Sequence, residues 1–279
     1  LTAVLLALAA SFAWGFADFG AGVATRRLPV FVVAAVSQTA GLIFVGAIVL
    51  ATGASAPSRT ELAWAAFAGV VGLVGLSFFY RALAVGTMGI VGPITATAAV
   101  VPVAYGLGRG ERPSALQGIG VALAIAGVIA ASLEPLPEGG GRRLGTGVGF
   151  ALIAAFSFGW SLVGLGRAAA GGVAFATMTM RLAAVPIGIV LALTLQPRGP
   201  ASSRGWLLLV AIGVIDTGAT LLYAAAATKG LLSIVAVLSS LYPIVIVALA
   251  RLLLAERVAR TQLAGVGVAL AGVALISAG

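Results

Sequence analysis

Apolar runs long enough to form membrane-crossing helices recur along this chain, separated by short polar breaks. They fall roughly at 2–23, 31–51, 61–84, 88–108, 114–132, 146–168, 173–195, 205–227, 231–254 and 261–278. About 20 apolar residues suffice to cross ~30 Å of hydrocarbon as a helix. The breaks carry charge, proline or glycine: "TRRLP", "TGASAPSRTE", "GRGERPS", "LQPRGPASSRG" and "LAERVARTQ". The longest and most polar break, "LEPLPEGGGRRLG", divides the runs into two groups of five. The pattern predicts an all-α membrane protein of ten transmembrane helices. A first five-helix repeat spans 1–132, a linker loop 133–145, and a second repeat 146–279.

The two groups resemble each other. Ser11-Phe12-x-Trp14 recurs as Ser157-Phe158-x-Trp160. "ERPSALQGIGVALAIAGV" (Glu111 to Val128) recurs as "ERVARTQLAGVGVALAGV" (Glu256 to Val273). Ile90-Val91 matches Ile234-Val235, and Gln38 falls opposite Arg181. Similar offsets across separate helices imply internal duplication. Five is odd, so the second group enters the membrane from the opposite side. The repeats are then inverted, with an axis in the membrane plane and a central cavity near the midplane.

Composition agrees. Hydrophobic residues make up 61 %, charged residues 8 %, and the mean hydropathy is +1.19. A soluble domain carries roughly a quarter charged residues. The net charge of +9 sits mostly in the breaks, where it sets orientation, so nucleic-acid binding is not expected. Loops after odd-numbered runs hold Arg26, Arg27, Arg142, Arg143, Arg198, Arg204, Arg257 and Arg260. Those after even-numbered runs hold Arg59, Arg109, Arg112, Arg167 and Lys229. By charge alone the termini lie outside the cytoplasm. Cysteine and histidine are absent, which removes disulfides, thiol nucleophiles, imidazole bases and most zinc sites. Neither a metal nor a cofactor is expected. The first run opens without a basic n-region or an A-x-A exit, so a cleaved signal peptide is not expected either.

Trp14-Gly15 in the first helix, Glu111-Arg112 and Glu256-Arg257 after the fourth and ninth, and Pro243 in the ninth resemble the drug/metabolite transporter superfamily. More narrowly, the chain looks like its EamA-type ten-helix exporters, and Arg181 matches an arginine frequent in the second helix of their repeats. The resemblance implies a secondary transporter with cytoplasmic termini. The aromatic residues of the central helices resemble YddG-type exporters of aromatic and neutral amino acids. The halves also differ. Gln38 stands opposite Arg181, Ala99 opposite Pro243 with Pro93 and Pro102 nearby, and Trp160 precedes Ser161 rather than glycine.

Two acids fall within the runs, Asp18 and Asp216. A charge at mid-membrane costs at least ~2.5 kcal/mol, so it usually faces the bundle interior or a cavity. Ser11, Trp14 and Asp18 share one helix face at i, i+3, i+7, with Ser157, Trp160 and Gly164 as the opposing face. Asp18 binds a substrate amine or a coupling proton, or stays neutral and internally bonded. Arg181 holds a carboxylate or snorkels to the headgroups. Phe79, Tyr80 and Tyr223 supply aromatic walls, and Ser239 and Ser240 supply hydroxyls for substrate or for the i−4 carbonyl. Pro93, Pro102 and Pro243 are candidate hinges.

The expected function is export of small metabolites, foremost aromatic and neutral amino acids, by alternating access. The expected setting is the bacterial cytoplasmic membrane, with a monomer whose partners are substrate and lipid. An enzyme is not expected, because the membrane-embedded inventory of nucleophiles and bases is nearly empty. No ring of repeated charges suggests a channel. The alternatives are carriers of sugar phosphates or nucleotide sugars, which want several basic residues where this chain has one lysine, Lys229, or carriers of drug-like cations.

Overall fold

A computed structural model describes residues 1–25, 28–85, 94–95, 97–132, 147–195, 203–254 and 260–279. The linker 133–145, Ile90-Val91, Pro93, Glu256 and Arg257 lie outside the described residues. The side chains of Tyr80 and Pro243 do as well. Among the described residues the chain is helical and has no strand. Helices α1 (Thr2–Thr25), α2 (Val30–Thr52) and α3 (Arg59–Val85) are followed by α4 (Val100–Gly108) and α5 (Ala115–Ser132). Then come α6 (Val148–Ala168), α7 (Val173–Leu195), α8 (Ser203–Ala227), α9 (Leu232–Ser239), α10 (Tyr242–Leu254) and α11 (Arg260–Ala278).

Among the described residues six helices, α1, α2, α3, α6, α7 and α8, are long and apolar enough to cross a membrane, and the remaining apolar helices are shorter. The ninth apolar run is not one helix. It breaks between α9 and α10 at Ser240-Leu241, where Ser240 N–H is shared between the carbonyls of Ala236 and Val237. Pro243 lacks the N–H that a continuous helix would need there, which accounts for the interruption. The fourth run carries a matching irregularity, a 3-10 turn at Thr97–Ala99 that leads into α4. Pro102 sits buried in the first turn of α4, where a proline is tolerated. Local sequence sets the other boundaries. Ser58 and Glu61 form a reciprocal capping box at the start of α3, and Ser114 and Gln117 form one at α5. Gly53, at a φ of 59°, closes α2 in the left-handed conformation.

Packing inverts the order of a soluble protein. Fully buried positions include Ala7, Ala10, Ala65, Ala68, Ala124 and Ala269, whereas Leu207 is 70 % and Phe156 60 % exposed. Small residues inside and large apolar ones outside suit a bundle solvated by lipid. The most extensive helix contacts all run between the first five runs and the last five. They come in exchanged pairs. α1 packs on α8 as α3 packs on α6, and α2 packs on α8 as α3 packs on α7. α1 meets α9 and α10 as α6 meets α4, while α2 with α7 and α5 with α11 are their own counterparts.

Glycines mark the closest approaches, and these also recur. A Cβ on Gly15 would meet Val245 and the Tyr242 carbonyl, while one on Gly159 would meet Val101 and the Ala98 carbonyl. Gly15 with Gly159, Ala98 with Tyr242 and Val101 with Val245 are each 144 positions apart. Gly20 against Ile212 and Gly164 against Ala68 repeat the same separation. This register corrects the alignment of the two Ser-Phe-x-Trp phrases, which is two residues longer. In the packing, Trp160 corresponds to Phe16 and Trp14 to Phe158. Two residues turn a helix by about 200°, so the two tryptophans look into different surroundings.

Candidate functional site

The polar groups that the bundle buries together lie on α2, α7 and α8. Arg181, near the middle of α7, has a side chain only 6 % exposed. It does not snorkel. One guanidinium nitrogen donates to Gln38 Oε1 on α2. The other donates to Asp216 Oδ2 on α8 at 2.7 Å and to Thr220 Oγ1 at 3.0 Å. Gln38 Nε2 also donates to Asp216 Oδ2, at 3.3 Å. Thr220 hydroxyl in turn donates to the Asp216 main-chain carbonyl at 2.9 Å. Two polar atoms beside this network, Arg181 Nε and Thr217 Oγ1, are buried without a hydrogen-bond partner.

The helices are brought close enough for this by missing side chains. A Cβ on Gly41 would overlap the Thr217 hydroxyl, and one on Gly213 would overlap the Ser37 carbonyl oxygen. Gln38 and Arg181, opposite each other in the duplicated sequence, thus touch across the α2–α7 contact. Burial of one cation with one anion and a bridging amide keeps the cluster neutral, the condition under which charge survives at membrane depth. Sequence reasoning had Arg181 and Asp216 among the in-span charges but did not join them. The available signal was their opposite sign at similar depth.

The other sequence candidates are spread around this centre. On α1, Ser11 is buried, Trp14 half-buried and Asp18 exposed, so the face runs from the interior outward. Asp18 lies within coulombic reach of Asp216 and of Tyr242. Trp14 packs on Tyr223, with ring centroids 5.7 Å apart. Tyr223 is fully buried and donates its hydroxyl to the Leu162 carbonyl at 2.9 Å. Trp160 meets Phe67, Tyr105 and Phe156 edge-on. With Ser157, Val71 and Val74 it lines an apolar groove of about 320 Å³ between α3 and α6. Phe156, Phe67 and Val74 are exposed, so that groove opens on the surface of the bundle. Phe79 stacks edge-on with Phe158. Ser239 donates to the Ala7 carbonyl at 3.3 Å, tying α9 to α1, and Ser240 sits at the break between α9 and α10.

Glu111, singled out by the sequence only as part of a repeated motif, has a defined task. Its carboxylate accepts from Leu232 N–H at 2.7 Å, Ser233 N–H at 3.1 Å and Ser233 hydroxyl at 2.6 Å. A loop of the first group thereby caps the N-terminus of α9 in the second, where an anion is favoured. Among the described residues no group of His, Cys, Asp or Glu is placed to hold a metal ion.

Comparison with known proteins gives the class. No curated protein matches the chain. A solved structure described only as "Crystal structure of protein" superposes with a TM-score of 0.79 at 19 % identity, covering 98 % of this chain and 95 % of that one. At that identity the likeness concerns the fold alone. The profile of the EamA-like transporter family matches residues 1–133 and again 145–278. The chain is therefore a multi-pass integral membrane protein of a class that moves small molecules rather than transforming them, and it belongs to the EamA-like transporter family.

Proposed function

We propose that this chain exports neutral amino acids, aromatic and other apolar ones foremost, by alternating access across the bacterial cytoplasmic membrane. It acts as a monomer of ten spans in two inverted halves, 1–132 and 146–279, joined by the linker 133–145. Support for the halves comes from the exchanged pairing of helix contacts between them. An odd number of spans per half turns that pairing into a two-fold axis in the membrane plane.

The observation that carries the substrate class is the charge-balanced cluster of Gln38, Arg181 and Asp216 on the α2, α7 and α8 helices. A net-neutral zwitterion needs no net countercharge, and the cluster offers none. A phosphorylated metabolite wants several cations in one cavity, while Arg181 is already matched by Asp216. Trp14, Ser11 and Asp18 on α1, with Ser239 and Ser240 at the α9–α10 break, are the groups we assign to the rest of the substrate. The Trp14–Tyr223 pair offers an aromatic wall. Purified protein in liposomes tests this. Saturable uptake of phenylalanine or threonine, with none of a triose phosphate or a hexose, is the expected outcome. Flux of the phosphate alone overturns it and favours the sugar-phosphate alternative, and flux of an organic cation alone favours the drug-carrier alternative.

A further inference from the structure

We propose that the Arg181–Asp216 ion pair is a placeholder for the two charges of the substrate. An incoming amino acid separates the pair, its carboxylate taking the guanidinium and its ammonium group taking the Asp216 carboxylate. This rests on the amino-acid reading above and assigns that substrate its binding partners.

The arrangement has the features such an exchange requires. The pair is one cation to one anion, held at 2.7 Å near the middle of two neighbouring helices. Both charges belong to α7 and α8, and the contribution from α2 is the neutral Gln38, whose amide reaches both ions. An amide that donates to a carboxylate and accepts from a guanidinium can stay bonded to either ion after they part. The network is also incomplete. Arg181 Nε is buried and lacks a partner, so the guanidinium has a donor left for a further oxygen atom. Among the described residues, the side-chain hydrogen bonds of Asp216 fall on Oδ2 alone, and its side chain is 20 % exposed against 6 % for Arg181. Asp216 is thus the open edge of the pair. The acidic group that α1 brings within coulombic reach of it is Asp18. α2 and α9 contribute no titratable side chain.

Selectivity follows from what each ligand leaves behind. Removing one partner of a buried ion pair strands an uncompensated charge, a strongly unfavourable state. An anion that captured Arg181 would strand Asp216, and a cation that captured Asp216 would strand Arg181. A zwitterion strands neither. The same logic lets the empty carrier reorient, because the pair satisfies itself when no substrate is present. Both empty and loaded forms keep the cluster neutral, and the singly charged ligands do not.

The experiment uses the full chain in proteoliposomes and measures phenylalanine counterflow with three competitors: phenylalanine, its methyl ester and N-acetylphenylalanine. In the wild type the zwitterion should compete at least ~100-fold better than either analogue, as expected when a site's buried polar groups would otherwise go unpaired. Asp216→Asn should remove the advantage over the N-acetyl anion while keeping it over the ester. Arg181→Gln should do the reverse. The double variant R181Q/D216N removes both charges together, so it should melt near the wild type and discriminate against neither analogue. It decides the matter if a single variant does not fold. Equal losses for all three ligands in the variants, or an ester that competes as well as phenylalanine in the wild type, overturn the proposal while leaving amino-acid export intact. Absence of amino-acid flux in the wild type overturns both.

Discussion

A glycine in this bundle matters according to what stands where its side chain would be. Gly69 and Gly213 occupy equivalent places, one under the Met180 carbonyl oxygen and the other under the Ser37 carbonyl oxygen. Backbone atoms cannot rotate away, so a methyl group at either site must push α3 from α7 or α2 from α8. Gly69→Ala and Gly213→Ala should each destabilise by roughly 1–3 kcal/mol, the usual range for overpacking. Gly46 sits in α2 with open space around it, and Gly46→Ala should be neutral or stabilise slightly through helix propensity. Thermal melts in detergent compare the three. A Gly213→Ala variant that melts like Gly46→Ala would mean that α2 and α8 do not approach as closely as described. The partners of these close contacts were not legible in the sequence, because glycine is common throughout it and spacing along one helix does not name the helix it meets. The tryptophans misled for a related reason. Trp14 and Trp160 are rare letters, so their shared Ser-Phe-x-Trp phrase outweighed the commoner letters that set the true register, Gly15 with Gly159 and Gly20 with Gly164.

At the level of elements, long apolar runs were legible because length and composition alone decide whether a helix can cross a bilayer. The interruption between α9 and α10 was not, although Pro243 was noted as a candidate hinge. A single proline kinks or breaks a helix depending on neighbours, and Ser240 supplies a turn that shares its N–H between two carbonyls. The Arg181–Asp216 pair escaped for the opposite reason: it joins residues on different helices, and spacing within one helix says nothing of that. The cap on α9 escaped likewise. Glu111 reaches it because its own loop folds back over Gly106 of α4, where a Cβ would overlap the carboxylate. Glu111→Ala frees the Leu232 and Ser233 N–H groups and the Ser233 hydroxyl. The loss should be about 1–3 kcal/mol, the range for leaving a buried donor without its acceptor. Hydrogen exchange is the sharper measure, since the amides of Leu232 and Ser233 should exchange sooner while those in the middle of α8 keep their rate. Unchanged exchange at 232 and 233 would mean that another group caps this helix.

At the scale of the whole molecule, inverted halves make a prediction that parallel halves do not. In the proposed ten-span arrangement, the turn after α2 near Ser55, the turn after α6 near Ala170 and the turn after α8 at Lys229 all follow even-numbered spans. The starts of α8 at Arg204 and of α11 at Arg260 follow odd-numbered spans. With ten spans, the first three sites share one membrane face and the last two share the other. Ala170 is the telling position. It follows the first helix of the second half, so parallel halves would put it with the exit of α1, opposite Ser55. The chain has no cysteine, which allows Ser55→Cys, Ala170→Cys, Lys229→Cys, Arg204→Cys and Arg260→Cys to be made singly on a silent background. An impermeant maleimide added to spheroplasts should label either the set of three or the set of two, and never a mixture. The set it labels also resolves a conflict between two sequence signals. Arginine placement puts the loops after odd spans in the cytoplasm, whereas the family resemblance puts the termini there, on the side of the even loops. Labelling of Ser55→Cys and Ala170→Cys from opposite faces would remove the in-plane axis. The exchanged contacts of α1 with α8 and α3 with α6 would then need another explanation.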